Sequence, residues 1–89
     1  MQRRQANVTS AHGIHARPAA KIALTASRFR SSVRLVYNGR AADARSFLAV
    51  ALLCVSVGGT ILIETSGPDE LEAANSLVRL IEGDFGQRA

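Results

Sequence analysis

Several residue types are scarce in this 89-residue sequence, and each scarcity excludes a class of protein. A single cysteine, Cys54, excludes an internal disulfide and fits a reducing compartment. Tryptophan is absent and aromatic residues make up only 4%, so a core must be built mainly from Ala, Val, Leu and Ile. The longest apolar run, residues 47–57, is too short to span a bilayer, and the first residues lack the apolar segment of a signal peptide. We therefore expect a cytoplasmic, monomeric protein with one small domain over residues 1–89.

Acidic residues are nearly missing from the first half of the chain. Residues 1–46 contain nine basic residues and one acidic residue, Asp43, whereas residues 47–89 contain two basic and six acidic residues. This asymmetry predicts a basic surface that would attract an acidic partner. The basic residues are spread over several segments without interleaved aromatic residues, so nucleic-acid binding is the weaker hypothesis.

Hydrophobic periodicity predicts the element order β-α-β-β-α-β-α. Strands are expected over residues 2–9, 32–37, 40–43 and 60–65, and helices over about 16–27, 47–53 and 70–84. Asn38-Gly39 predicts a tight hairpin, and Ser46 predicts a helix N-cap. Asp69 followed by Glu72 predicts a capping box. The order indicates an α+β fold, with a sheet covered by helices on one face.

The same periodicity predicts which residues are buried. Inward faces are expected at Ala6 and Val8, at Ala19, Ile22, Ala23 and Ala26, at Val33, Leu35 and Tyr37, and at Ala74, Leu77, Val78 and Ile81. The segment after Ser46 is apolar nearly all round, and a small domain cannot bury every side of such a helix. We therefore expect part of it to be exposed as a protein-binding patch.

The segment Gly13–Ala20 places one histidine immediately before a predicted helix. His15 precedes the helix start, Arg17 follows two residues later, and Pro18 lies in the first turn, where a missing N–H does no harm. The first N–H groups of a helix have no partner inside the helix and carry the positive end of its dipole. A phosphoryl group on the His15 imidazole would meet these donors and the Arg17 guanidinium. Without this context, His15 would be interpreted as an ordinary loop histidine.

Three motifs give the chain a resemblance to a known family. Residues 13–19 read Gly-Ile-His-Ala-Arg-Pro-Ala, residues 37–40 read Tyr-Asn-Gly-Arg, and residues 45–48 read Arg-Ser-Phe-Leu. At this spacing the chain resembles, over about residues 2–85, the HPr family of histidine-containing phosphocarriers of the bacterial phosphoenolpyruvate-dependent sugar phosphotransferase system. The resemblance implies an open-faced β-sandwich, in which three helices cover one face of a four-stranded antiparallel sheet.

The resemblance also implies a function. Enzyme I would donate a phosphoryl group to Nδ1 of His15, Arg17 would position it, and the chain would pass it to an EIIA-type domain. Ala20, Lys21, Phe47 and Leu48 would contact these partners. The chain would then be a phosphocarrier rather than an enzyme with turnover on a small substrate. No cofactor is expected, and His12, His15 and Cys54 are too few for a convincing metal site.

Ser46 and a few departures leave alternatives open. By resemblance, Ser46 is a regulatory site for an HPr kinase/phosphorylase, but the motif continues as Phe47-Leu48-Ala49 instead of the usual Ile-Met-Gly. His12, Leu24 and Ser27 also differ from residues common in the family. The alternative hypothesis is a regulatory paralogue, of a nitrogen-related or non-transport branch, that acts mainly by protein binding.

Overall fold

The computed structural model describes residues 1–9, 13–14 and 16–83, and it contains all seven predicted elements. They are β1 (Gln2–Asn7), α1 (Ala16–Ala26), β2 (Ser32–Tyr37), β3 (Arg40–Asp43), α2 (Phe47–Leu52), β4 (Thr60–Ser66) and α3 (Glu70–Glu82). None of these three helices has the length and apolar character needed to cross a membrane. The predicted order is therefore confirmed, and the element ends differ by at most two residues from those expected.

The strands form one antiparallel sheet in the order β1-β4-β2-β3. α3 packs on β1 and β4, while α1 packs against α2 and α3. Alternate strand residues such as Ile61, Ile63 and Leu35 are fully buried beneath the helices. The other side, here called the open face, carries Arg3, Arg34 and Glu64. The predicted open-faced α+β sandwich is confirmed.

The hairpin between β2 and β3 has the predicted turn. Asn38 and Gly39 adopt positive φ angles of 53° and 79°. Two consecutive positive φ angles are the signature of the type I′ turn, whose twist matches that of the flanking strands. β3 lies at the edge of the sheet, a position that suits its short, charged sequence.

The buried faces follow the predicted periodicity, with three refinements. Ala19, Ile22 and Ala26 are fully buried, but Ala23 is only half-buried because it lies at the margin of the inward face of α1. Tyr37 and Val78 are also half-buried and pack against the core. Ala73 is fully buried although the pattern did not single it out.

The predicted capping box at α3 is wrong. Asp69 occupies the N-cap position, but its side chain makes no capping hydrogen bond. Its carboxylate instead accepts hydrogen bonds from the backbone N–H groups of Arg30 and Ser31, at 3.0 and 2.9 Å, and from the Ser31 hydroxyl at 2.5 Å. The Glu70 carboxylate accepts a hydrogen bond from the N–H of Gly67, which precedes the helix, at 3.1 Å. The Asp69 carboxylate therefore bonds to the turn between α1 and β2 instead of capping α3.

Candidate functional site

The segment that leads into α1 is fixed to the segment after α2 by backbone hydrogen bonds. The Ile14 N–H donates to the Val55 carbonyl at 2.8 Å, and Val8 exchanges bonds of 2.8 Å with Gly58 and Gly59. Ile14 is itself buried. The chain is therefore held on both sides of residues 10–12, which lie outside the described part of the structure together with His15.

Gly13 is required where it stands, immediately before Ile14. It has a positive φ of 68°, and a Cβ there would overlap the carbonyl oxygen of Val55. Only glycine combines that backbone conformation with so close an approach. The sequence indicated a turn at Gly13 but gave no sign that Val55 is its partner.

The first turn of α1 presents a basic side chain to solvent. Arg17 is exposed, and it forms no hydrogen bond or salt bridge with any other described residue. Pro18 and Ala19 are buried beneath it and fix the turn to the core. No acidic residue lies in this turn, so its N–H groups and Arg17 together favour an anion.

An apolar patch is exposed on α1 and α2. Leu24, Phe47, Leu48 and Leu52 are 64%, 44%, 63% and 62% exposed. Ala20 and Leu24 are one turn apart on the solvent side of α1, between Arg17 in the helix and Arg28 just after its end, and Lys21 is half-buried. The sequence predicted that part of the segment after Ser46 would be exposed, and the exposure of Phe47, Leu48 and Leu52 confirms it. Leu53 and Val55 are buried, so the excess of apolar residues is divided between core and surface.

Ser46 caps α2 as predicted. Its φ and ψ angles are −90° and 107°, and its Oγ accepts the Ala49 N–H at 3.2 Å. The serine is exposed and directly precedes Phe47 in the apolar patch. Any group added to its hydroxyl would lie beside that patch.

Arg45 has a structural role that the sequence did not reveal. Its Nη2 donates to the carbonyls of Phe29, at 2.7 Å, and Ser31, at 3.1 Å. The guanidinium thus ties the link before α2 to the turn between α1 and β2. The only signal in the sequence was that a basic residue precedes Ser46. The side chain of such a residue is more often solvated than bound to backbone carbonyls.

The acidic residues of the described chain are largely used in internal contacts. On the open face, Glu64 accepts hydrogen bonds from Arg34 at 2.6 Å and from Arg3 at 3.1 Å, and the Arg34 bond is the main reason that its pKa is lowered. Glu70 binds the N-terminal ammonium at 2.8 Å, and this bond is the main reason that its pKa is lowered. The Glu82 carboxylate accepts the Asn7 N–H. The outer surface of α1, in contrast, carries basic residues and no acidic one.

Comparisons with known proteins agree with this arrangement. A family model described as "PTS HPr component phosphorylation site" matches residues 2–83. Phosphocarrier protein HPr of Cupriavidus necator is 40% identical over 87 residues, which cover 98% of both chains. The protein of the same name from Xylella fastidiosa strain Temecula1 is 37% identical with equal coverage. The crystal structure of HPr-C-His from Thermoanaerobacter tengcongensis matches with a TM-score of 0.93 at 35% identity, covering 100% of both chains.

Proposed function

This chain belongs to the HPr family of phosphocarriers of the phosphotransferase system, and we propose that it carries a phosphoryl group on His15. Phosphorylated Enzyme I is the donor, and an EIIA-type domain is the acceptor. In each step one N–P bond breaks in the donor as another forms in the acceptor. Because both bonds are of the same type, the free energy of each transfer is small. The chain is a substrate of both partners and returns to its starting state after each cycle.

The observation that carries the proposal is that contacts with Val55 fix Gly13 and Ile14 immediately before the first turn of α1. Backbone bonding to Val55 anchors the chain there, and Arg17 stands exposed with no partner among the described residues. Phosphoryl transfer through a loose transition state depends on positioning and charge neutralisation more than on covalent help. A helix start and one guanidinium supply both, without binding phosphate so strongly that transfer stops.

Docking of both partners is assigned to the apolar patch and to the basic residues of α1, Arg17 and Lys21. Ala20, Lys21, Phe47 and Leu48 supply the contact surface beside Arg17 in this proposal. Support comes from the exposure of Phe47 and Leu48 and from the absence of acidic residues on α1 and α2. Such a surface fits a partner with an apolar centre and an acidic rim.

The proposal is tested by incubating the protein with Enzyme I and labelled phosphoenolpyruvate, and then adding candidate EIIA domains. The wild type and the matched His12→Ala control are expected to acquire acid-labile phosphate and pass it on, whereas His15→Ala stays unlabelled. Arg17→Gln is expected to slow transfer about tenfold or more, because it removes a charge-assisted contact, and Arg28→Gln to change it little. Undiminished label on His15→Ala contradicts the assignment of the phosphorylated residue.

Ser46 is proposed as a secondary, regulatory site for a protein kinase. Its exposed hydroxyl beside the apolar patch supports this role, because a phosphate there would repel an acidic partner. We also propose that the carrier is monomeric and acts in the cytoplasm, a reducing compartment that its single cysteine fits. Mass spectrometry of protein from cells in several nutrient states is expected to detect phosphoserine at Ser46, and its absence in every state contradicts this role.

A further inference from the structure

A cavity of about 380 Å³ lies at the end of the sheet remote from Gly13. It is lined by the start of β2, the ends of β3 and β4, and Met1. The segment leading to Gly13 follows the opposite end of β1, and a six-residue strand separates the two ends by about 20 Å. The cavity is thus distinct from the site of the proposed phosphoryl transfer. Its volume is within the range of pockets that bind small molecules.

Two guanidinium groups at this cavity are fixed by hydrogen bonds along one edge only. Arg34 donates through Nε and Nη2 to Glu64 at 2.9 and 2.6 Å, and Arg45 donates through Nη2 to two backbone carbonyls. Nη1 of both residues has no partner among residues 1–9, 13–14 and 16–83. Donors that are already held in place bind a ligand at low entropic cost, and a pair of guanidinium edges favours a carboxylate.

One carboxylate at the cavity also keeps an unused oxygen. Asp43 Oδ1 accepts the Arg45 N–H at 2.9 Å, whereas Oδ2 has no partner within the described part of the chain. Glu64 is different, because Arg3 and Arg34 together satisfy and neutralise it. The cavity therefore offers two positive donors, one negative acceptor and the apolar residue Met1, whose ammonium is already paired with Glu70.

We propose that this cavity binds a small zwitterion of the α-amino acid class with an aliphatic side chain. Its carboxylate meets Arg34 and Arg45, its ammonium meets Asp43 Oδ2, and its side chain lies against Met1. A simple anion would be repelled by the Asp43 carboxylate, and a simple cation would be repelled by the two guanidinium groups. A ligand with both charges can pair with all three side chains, which are exposed to solvent when no ligand is bound. The assignment does not depend on His15 or on phosphoryl transfer.

The test is an NMR titration of the ¹⁵N-labelled full chain with three matched probes. These are L-norvaline, pentanoate, which lacks the ammonium, and butylammonium, which lacks the carboxylate. Norvaline is expected to shift amides in residues 32–34, 43–45 and 64–66 saturably, with a dissociation constant on the order of 1 mM for so few contacts. Each of the other two probes is expected to bind at least about tenfold more weakly, because one charged contact is lost.

Variants separate this cavity from the rest of the surface. Asp43→Asn keeps an acceptor for the Arg45 N–H but removes the charge, so it should abolish the preference for norvaline over pentanoate. Arg34→Gln removes one of the two guanidinium groups, so it should weaken the binding of both norvaline and pentanoate. Glu64 keeps its ion pair with Arg3 in this variant. Arg40→Gln, at the other end of β3, is the matched control and should bind as the wild type does. The proposal is overturned if no probe gives saturable shifts, if pentanoate binds as well as norvaline to the wild type, or if the two cavity variants behave like Arg40→Gln.

Discussion

At the scale of single residues, Gly13 and Gly39 show how different two glycines with positive φ can be. Both lie in the left-handed region, at 68° and 79°. A Cβ at Gly39 would meet nothing within 4 Å, whereas one at Gly13 would overlap the Val55 carbonyl. Gly39 is required only by its turn, whereas Gly13 is required both by its turn and by the close approach of Val55.

Substitution of these two glycines by alanine should therefore have unequal effects on stability. Gly39→Ala is expected to lower the free energy of unfolding by about 1–2 kcal/mol, the cost of the left-handed conformation for a residue with a Cβ. Gly13→Ala should lower it by at least about 3 kcal/mol, because the backbone at Val55 must also move. Urea denaturation of both variants measures the difference, and equal losses would mean that the Val55 contact is not limiting.

Asp69 is a second residue whose environment sets a measurable property. Hydrogen bonds from the Ser31 hydroxyl, and then from the Arg30 N–H, lower the pKa of its carboxyl to about 2. A carboxyl whose pKa is depressed in the folded protein stabilises the fold above its unfolded pKa. That stabilisation is lost as the pH falls through the folded value.

The free energy of unfolding should accordingly decline between about pH 4 and pH 2, in part because of Asp69. Asp69→Asn is expected to be less stable at neutral pH and to show a shallower decline over this range. Glu72→Gln is the matched control, because Glu72 is exposed and accepts no hydrogen bond from any described residue. Chemical denaturation at a series of pH values provides the measurement, and an unchanged slope for Asp69→Asn would exclude Asp69 as its source.

At the scale of elements, α2 contributes both to the core and to the proposed docking surface. It has six residues, too few to be stable by propensity alone, so its Ser46 cap and its buried Val50 matter more than they would in a long helix. Three of its large side chains are exposed. The cap therefore stabilises a helix whose outer side is available to partners.

Ser46 variants should separate the capping role from the effect of charge. Ser46→Ala is expected to lower the free energy of unfolding by about 1 kcal/mol through loss of the cap. Ser46→Asp keeps a capping side chain and places a negative charge beside Phe47, so it should preserve stability but slow phosphoryl transfer from Enzyme I. Thermal unfolding and transfer rates test both, and equal transfer by Ser46→Asp and the wild type would argue against an acidic partner surface.

At the scale of the whole molecule, exposed apolar residues and charges are unevenly distributed. Large apolar side chains are exposed on α1 and α2, which contain no acidic residue, whereas Leu71 is exposed on α3 between Glu70 and Glu72. Internal contacts use most of the described acidic groups. Attraction of an acidic partner should consequently be directed to the side of α1 and α2.

A negative charge introduced on α2 should slow phosphoryl transfer, whereas one introduced on α3 should not. Phe47→Asp is expected to slow transfer from Enzyme I about tenfold or more without loss of the fold, because it removes an apolar contact and repels an acidic rim. Leu71→Asp, at a similarly exposed position on α3, should change the rate little. Stopped-flow or quenched transfer assays with circular dichroism provide the comparison, and equal effects of the two variants would contradict docking on α1 and α2.

Local chemistry explains most of what could be predicted from the sequence. The type I′ turn at Asn38-Gly39 and the cap at Ser46 depend on residues at most a few positions apart. The buried faces of the helices depend on the period of 3.6. The same rules predicted that α2 would be partly exposed, because its apolar residues surround the helix. The motif around His15 indicated the family before any contact was known.

The sequence by itself thus determined the elements, the hairpin, the cap of α2 and the candidate phosphoryl site, since each depends on near neighbours along the chain. Only the tertiary structure decided that Asp69 binds Ser31 instead of capping α3, that Arg45 binds the backbone of the α1–β2 turn, and that Val55 holds Gly13 and Ile14. These partners are 14 to 42 positions apart in the chain. Periodicity and capping rules act over a few residues, whereas such contacts arise only when the packed sheet and helices bring distant segments together.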